Sequence, residues 1–339
     1  MGRPMNTARD GKVVETTNPQ ELDNQNYSVG WICAFKTEYV AAQQFLDEEH
    51  RGRPLYMPEH DKNEYTLGRM ERHNVVIATS RDGQYGATSA HSVAHGMRQS
   101  FPNLLWILVV GIAGGAPSDK HDIRLGDVIV SDPQDGRGVL QYDYGKAVQD
   151  HVFHHTGSLE PPKRLLDVVY HVKALYEADG NPISKAIELI INKRQWLSGE
   201  YSQPSSNTDC LYESEHIHPP GGGASYEYVL SNEALALRKR QARGDDDDNP
   251  AIHYGLIASG DQLVKDAVLR DWLSQEQNIL CFDMGLGTDI PYLVIRGICD
   301  YSDIHRNDQW QCYAAMTAAA YAKVLLRRVI PVKVETEEG

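Results

Sequence analysis

The sequence predicts an α/β domain. Short apolar runs recur that leave no room for polar alternation, the pattern of strands buried on both faces. Stretches with helical spacing separate these runs. Each run stops at glycines or at a polar side chain, and strand ends are where open α/β sheets bind ligands. The 339 residues suffice for one large domain or two smaller ones. A hydrophobic content of 41% supports a substantial core rather than global disorder.

Residues 27–35 read as the first strand, Lys36-Thr37-Glu38 as a turn, and 39–49 as a helix. Glu38 therefore stands at a strand end and a helix start, where a first-turn glutamate also suits the helix dipole. Residues 64–79 read as a hairpin turning near Arg72-His73-Asn74. Arg81 opens a glycine-bearing loop before a helix over 87–99. His91 and His95 lie four apart on that helix, but without a His-Glu-x-x-His pattern they read as ordinary helix residues.

Residues 104–110 read as a second buried strand that ends in a glycine loop, Gly111-Ile112-Ala113-Gly114-Gly115. Clustered glycines let backbone N–H groups approach a ligand, and they equally make a tight turn. The spacing is not Gly-x-Gly-x-x-Gly, which disfavours a dinucleotide site, and a P-loop is excluded. Residues 123–131 read as a turn and third strand, 138–145 as a polar, aromatic segment at a pocket rim, and 165–178 and 183–197 as helices. From 198 to 249 the texture changes to a mobile excursion, with His216, His218 and the acidic run 245–248 in solvated loop.

Regular structure resumes with a strand over 251–259, ending in Gly260-Asp261-Gln262, then a helix over 263–276 and a strand over 279–284. The central stretch is 291–303. Its apolar run breaks at Arg296-Gly297 and delivers Asp300 just past the strand end. There Asp300 either caps a helix near Asp308, closes a turn, or meets a ligand. An Ala-rich helix over 313–329 ends the domain; residues 1–26 read as a flexible leader and 331–339 as a charged tail.

Lys and Arg total 33 against 47 Asp and Glu, a formal charge of -14. Such a surface repels phosphate, so neither a nucleic-acid polymer nor an anionic membrane is an expected partner. The longest apolar run, 104–113, is too short to span a bilayer. None of the five cysteines has metal-clip spacing, and no metal is expected. Cys33, Cys281 and Cys299 sit in apolar runs as small hydrophobes. That usage, with no apolar signal core at the start, points to a reducing compartment and a cytoplasmic protein.

Taken in order, Gly-Ile-Ala-Gly-Gly after a strand, Ser259-Gly260-Asp261, and Arg-Gly-Ile-Cys-Asp at 296–300 resemble the purine nucleoside phosphorylase and nucleosidase superfamily. The closest resemblance is to fungal members, stand-alone or fused to signalling proteins. It covers about residues 27–329 apart from 198–249. It implies one domain over 27–330: a three-layer α/β sandwich with a twisted, mostly parallel central sheet flanked by helices. It also implies cleavage of the N-glycosidic bond of a purine nucleoside or nucleotide, without a cofactor, by a homo-oligomer.

On the same resemblance, Asp300 is the general acid that protonates the purine at N7, and Glu38 activates water. Phosphorolytic members bring arginines to phosphate. In one branch an Arg stands two residues before the glycine loop; here that residue is Val109, while Arg81 remains as an anion contact. The presence of Glu38 and the absence of that Arg favour water. Gly111, Ile112, Ala113 and Gly114 then line the ribose or nucleophile site. Gln262, Leu263 and Val264 face the base, beside Ser259, Gly260 and Asp261, which on their own also read as a helix start. Phe282, Asp283 and Met284 complete the pocket, with Met284 packing on the ribose.

One departure matters. The superfamily usually has Glu-Met-Glu where this chain has Asp283-Met284-Gly285, and the second Glu holds the ribose hydroxyls. Losing a charged hydrogen bond there costs roughly 1.5–3 kcal/mol; Asp289 is the nearest substitute in sequence. Only six residues separate Met284 from Pro291, where a parallel crossover takes a dozen or more, so the connection reads as shortened. A non-catalytic nucleotide-binding module serving signalling is therefore the alternative to a hydrolase, beside a phosphorylase.

Overall fold

In the computed structural model of the chain, the described residues are 22–79, 87–133, 136–147, 153–155, 157–215, 237–244, 249–285, 290–305 and 308–331. Arg81, His216, His218, the acidic run 245–248, Asp289 and most of the expected leader and tail lie outside them.

The strands among these residues begin with β1 (Val29–Cys33), β2 (Glu48–Glu49), β3 (Tyr65–Met70), β4 (His73–Thr79), β5 (Trp106–Gly115) and β6 (Val128–Ser131). They continue with β7 (Val139–Gln141), β8 (Gly145–Ala147), β9 (Phe153–His155), β10 (Ser158–Leu159), β11 (Ile252–Gly260), β12 (Ile279–Met284) and β13 (Leu293–Asp300). The helices are α1 (Lys36–Gln44), α2 (Ala87–Ser100), α3 (Lys163–Asp179), α4 (Ile183–Lys193), α5 (Ser198–Tyr201), α6 (Ala267–Gln277) and α7 (Gln311–Arg328).

Eleven of these strands form one sheet, in the order β10-β7-β11-β6-β13-β5-β1-β4-β3-β2, with β12 joined to both β11 and β5. The pairings β5–β13, β13–β6, β6–β11, β11–β12 and β12–β5 return to their starting point. Five strands thus close on themselves in the middle of the sheet. The sheet is mixed, with a narrow majority of parallel pairings.

Two glycines show where the layers lie. Gly30 pairs with Ile107 and Gly297 with Ile112, so by register they point to opposite faces of β5. A Cβ on Gly30 would lie 2.6 Å from Met97 of α2, whereas one on Gly297 would strike the Ala314 carbonyl of α7. Helices therefore cover both faces, as the α/β sandwich expects. The α7 helix lies close because its inward residues are small: Ala314, Ala315, Ala318, Ala319, Ala320 and Ala322 are all buried.

Several elements differ from the expectation. The glycine segment is not a loop: β5 continues through Gly115 and is buried at every position. Its polar backbone groups are taken up by ladders to β1, β13 and β12, so the glycines allow close approach rather than a turn. Likewise β13 does not break at Arg296-Gly297 but runs to Asp300, with a bulge between Ile298 and Asp300. The α1 helix starts earlier than expected and includes Glu38, while α6 starts later, behind Asp266, whose side chain accepts from Val268 and Leu269 N–H. Leu263 and Val264 thus belong to the connection before α6.

The β12–β13 connection is corrected too. β12 is antiparallel to β5, and β13 is parallel to β5. The two strands run in opposite senses, so a short return suffices and no crossover helix is required.

The expected excursion is tied down where it is described. Residues 198–215 contain α5 and a turn of 3-10 helix at Ser206–Thr208. Residues 237–244 lie along the core through Arg238–Asp119 at 2.7 Å and Arg243–Asp127 at 2.6 Å. No helix of the described residues is long and apolar enough to cross a membrane.

Candidate active site

Glu38 sits in the first turn of α1 with 3% of its surface exposed. Its Oε2 accepts from Ala34 N–H at 2.6 Å and Phe35 N–H at 3.0 Å, and its Oε1 accepts from Ile112 N–H at 2.8 Å. The bonds to Ala34 and Phe35 cap the helix. The bond to Ile112 ties the carboxylate to β5. One lone pair of Oε1 is left for a further donor. Burial raises the pKa of Glu38 above the ordinary 4.5, although the Arg296 charge and the three N–H groups oppose that shift. A raised pKa makes the carboxylate a better base.

Arg296 reaches this point from β13. It is 2% exposed, and its Nε donates to Asp283 Oδ2 at 2.9 Å while Nη2 donates at 2.5 Å. The guanidinium lies over Gly111, where a Cβ would strike both Arg296 Nη1 and Glu38 Oε1. Gly111 is therefore the bare place on which Glu38 and the Arg296–Asp283 pair meet. Burial pushes Asp283 up, with Arg296 opposing; burial also opposes the charge on Arg296, but Asp283 and then Glu38 outweigh it and hold its pKa above normal.

Asp300 occupies the other end of the glycine segment. It pairs with Gly114, and a Cβ on Gly114 would lie 2.6 Å from Asp300 Oδ1. The bulge sets it on the Gly114 face rather than the face of Arg296. Oδ1 accepts from Ser302 N–H at 2.9 Å, and Cys299 Sγ lies 3.6 Å from Oδ2. Asp300 thus does close a local turn, one of its sequence-level readings, and its half-buried carboxyl stands beside β5. Gly111 and Gly114 are three positions apart on one strand, about 10 Å of rise, so the two acids are held at the two ends of a single segment.

The remaining predicted residues gather on neighbouring strands. Ser259 pairs with Asp283 and Gly260 with Met284, while Phe282 pairs with Gly114. Ser259, Phe282 and Val264 are buried; Asp261, Gln262 and Leu263 are exposed. The 138–145 segment, expected at a rim, does meet them. The Tyr142 hydroxyl donates to the Gln262 carbonyl at 2.7 Å, and Asp143 accepts from Asp261 N–H at 2.6 Å. Gly285 N–H donates to the Gly260 carbonyl at 3.2 Å, and its φ of +90° is one that side chains rarely adopt.

Arg296 was not singled out by sequence. Its signal was an arginine inside an apolar strand, which must meet a carboxylate if it is buried, and Asp283 was available. Tyr301 and its partners Asp209 and Arg240 carry no local signal, because their contacts span long stretches of chain.

No protein-family profile matches the chain. A nucleotide-binding leucine-rich repeat (NLR)-like protein of Hyaloscypha variabilis is 40% identical over 317 residues, covering 91% of this chain and 30% of that protein. The chain thus spans under a third of that relative's length. A 5'-methylthioadenosine/S-adenosylhomocysteine nucleosidase of Mycobacterium bovis is 24% identical over 317 residues, covering 90% of this chain and 97% of the relative. Among solved structures, the 5'-methylthioadenosine/S-adenosylhomocysteine nucleosidase of Helicobacter pylori aligns with a TM-score of 0.54 at 16% identity, over 90% of this chain and 99% of that one. The chain shares the α/β fold of that structure. In this fold, the glycine segment, Asp283 and Asp300 come from adjoining strands of one sheet, and Glu38 reaches that sheet from α1.

Proposed function

We propose that the chain cleaves the N-glycosidic bond of a purine nucleoside or nucleotide with water. The observation that carries this is the Glu38 carboxylate, buried and tied to Ile112 N–H of β5 with a lone pair of Oε1 left for water; Asp300, on the Gly114 face of the same strand, is the acid to which the family resemblance points. Asp300 donates a proton to purine N7, so the C1'–N9 bond pair leaves with a neutral base. Glu38 takes a proton from water as the oxygen bonds to C1', which carries oxocarbenium character as the base departs. General acid or base help of this kind is worth about 10²–10⁴-fold. The likeness to solved nucleosidases and to the Mycobacterium relative supports the same bond and favours adenosine-type nucleosides as substrates.

Water is favoured over phosphate by charge. Among the described residues, the cation beside Glu38 is Arg296, and its Nε and Nη2 already serve Asp283. A phosphate brought there would face the Glu38 carboxylate. The test is incubation with a panel of purine nucleosides and nucleotides, with and without phosphate, and chromatography of the products. Free base without phosphate is the expected result. Ribose 1-phosphate formed only when phosphate is added would replace hydrolysis by phosphorolysis.

Gly285 favours a second reading, a nucleoside-binding module that turns over slowly or not at all. It offers the sugar no side chain, and Asp283 is already held by Arg296. Calorimetric binding of a purine nucleoside without base release would select this reading.

A further inference from the structure

The chain between α5 and β11 does more than leave the core and rejoin it. Its two described stretches meet on the residues that follow Asp300. Thr208 Oγ1 accepts from the Trp310 indole N–H at 3.0 Å. Tyr212 lies flat on His305, with ring centroids 3.9 Å apart and 18° between planes. Ser214 Oγ accepts from Arg270 Nη2 at 3.2 Å, and Arg270 Nη1 donates to the Tyr301 carbonyl at 2.7 Å. Between these contacts stands Asp209. It accepts from the Tyr301 hydroxyl, and from Arg240 Nη2 at 3.0 Å. The Arg240 guanidinium in turn lies 5.3 Å from the centre of the Tyr301 ring.

These contacts bear on Asp300 through its neighbours. Asp300 is the last residue of β13 and follows a bulge, with Gly114 as its ladder partner. Ser302, whose N–H it accepts, has a φ of +52°. A non-glycine residue stays in that left-handed region only when its surroundings hold it there. Tyr301 lies between the two and is 3% exposed. Its hydroxyl is thus bonded in a low-dielectric setting, where such bonds are strong and directional.

We propose that Asp209 and Arg240 are positioning residues which, through Tyr301, hold Asp300 where it meets the leaving purine. The inserted segment then serves the chemistry as well as the fold. This rests on the glycosidic cleavage proposed above. A misplacement of about 1 Å costs an enzyme on the order of 10²-fold, so a side-chain clamp one residue from the acid has a measurable effect.

The test compares the full chain with Tyr301→Phe, which removes only the hydroxyl, Asp209→Asn, which keeps the shape, and Asp300→Asn as reference. Base release is followed across pH, with melting temperature read alongside. Tyr301→Phe and Asp209→Asn are expected to lower kcat about 10–100-fold, with KM within about twofold. They also move the pH limb on which the acid titrates; melting stays near wild type for Tyr301→Phe and falls for Asp209→Asn, which leaves Arg240 without the Asp209 carboxylate. The double variant loses no more than the worse single one, because Asp209→Asn weakens, and Tyr301→Phe removes, the same contact. The proposal is overturned if both single variants keep wild-type kcat and pH profile while Asp300→Asn is impaired, or if lost activity only tracks a lowered melting temperature. Absence of base release by the wild type ends the glycosidic reading and this proposal together; an active wild type with an unaffected Tyr301→Phe ends this proposal alone.

Discussion

Arg296 holds Asp283 across the bare backbone of Gly111, with Nε donating to Oδ2 at 2.9 Å. Glu38 Oε1 occupies the same place from the other side. Charged groups from α1, β12 and β13 therefore converge on one residue that has no side chain.

Replacing that residue separates function from folding. Gly111→Ala puts a methyl where Glu38 and Arg296 now stand. Both are side chains that give way, so the stability cost is about 1–3 kcal/mol, while base release falls at least 10²-fold. Gly297→Ala is the contrast, since its methyl meets the α7 backbone at Ala314. It is expected to destabilise more than Gly111→Ala and to leave the kcat of whatever folds near wild type. Urea unfolding and base release, measured on both variants, check the pair.

As the proposed base, Glu38 would act while deprotonated, and burial raises its pKa above 4.5. Base release is therefore expected to fall as pH drops through a value above that figure. Glu38→Gln removes this limb and lowers kcat by about 10²–10⁴-fold. The stability sign is also set. A carboxyl whose pKa is raised on folding loses stability as pH rises from its unfolded value through its folded one. Melting curves should show Glu38→Gln gaining on wild type between pH 4.5 and neutrality; a gap that does not change with pH refutes this.

Arg296→Met leaves Asp283 and Glu38 buried without their cation. Breaking a buried pair in this way costs about 3–5 kcal/mol. Both acids have raised pKa values, so protonation relieves the variant first. Denaturation should show a smaller penalty on the acid side of neutrality than on the alkaline side.

Asp127 gives the opposite sign. Burial would raise its pKa, but Arg243 at 2.6 Å and His253 at 3.0 Å outweigh that and hold it below the ordinary 3.8. Its contribution is present above 3.8 and is lost as pH falls through the lowered value. Asp127→Asn is expected to cost about 3–5 kcal/mol at neutral pH. The cost should shrink in strong acid, read by chemical unfolding at several pH values.

Much of this was legible in the sequence. Strands buried on both faces announce themselves as unbroken apolar runs, so β1, β5, β12 and the first half of β13 were placed within a few residues. The order of Glu38, the glycine segment, Ser259 and Asp300, through the family resemblance, pointed to one region for them. Two features misled. Glycines in β5 and β13 read as breaks, because local sequence does not distinguish a turn from close approach to a neighbour. Arg296 read as the end of a strand, because the carboxylate that neutralises it lies 13 positions away. Asp209 and Arg240 were hidden for the same reason on a longer scale, since Asp209 is 92 positions from Tyr301.

The opposed senses of β12 and β13 have an evolutionary consequence. A return between opposed strands has only to reach past β5, whereas a crossover must reach over a whole layer. Residues added or deleted between Met284 and Leu293 leave the threading of the sheet intact. The grip of Arg296 on Asp283 rivets the two strands independently of that bend, so indels there leave the alignment of the charged groups undisturbed.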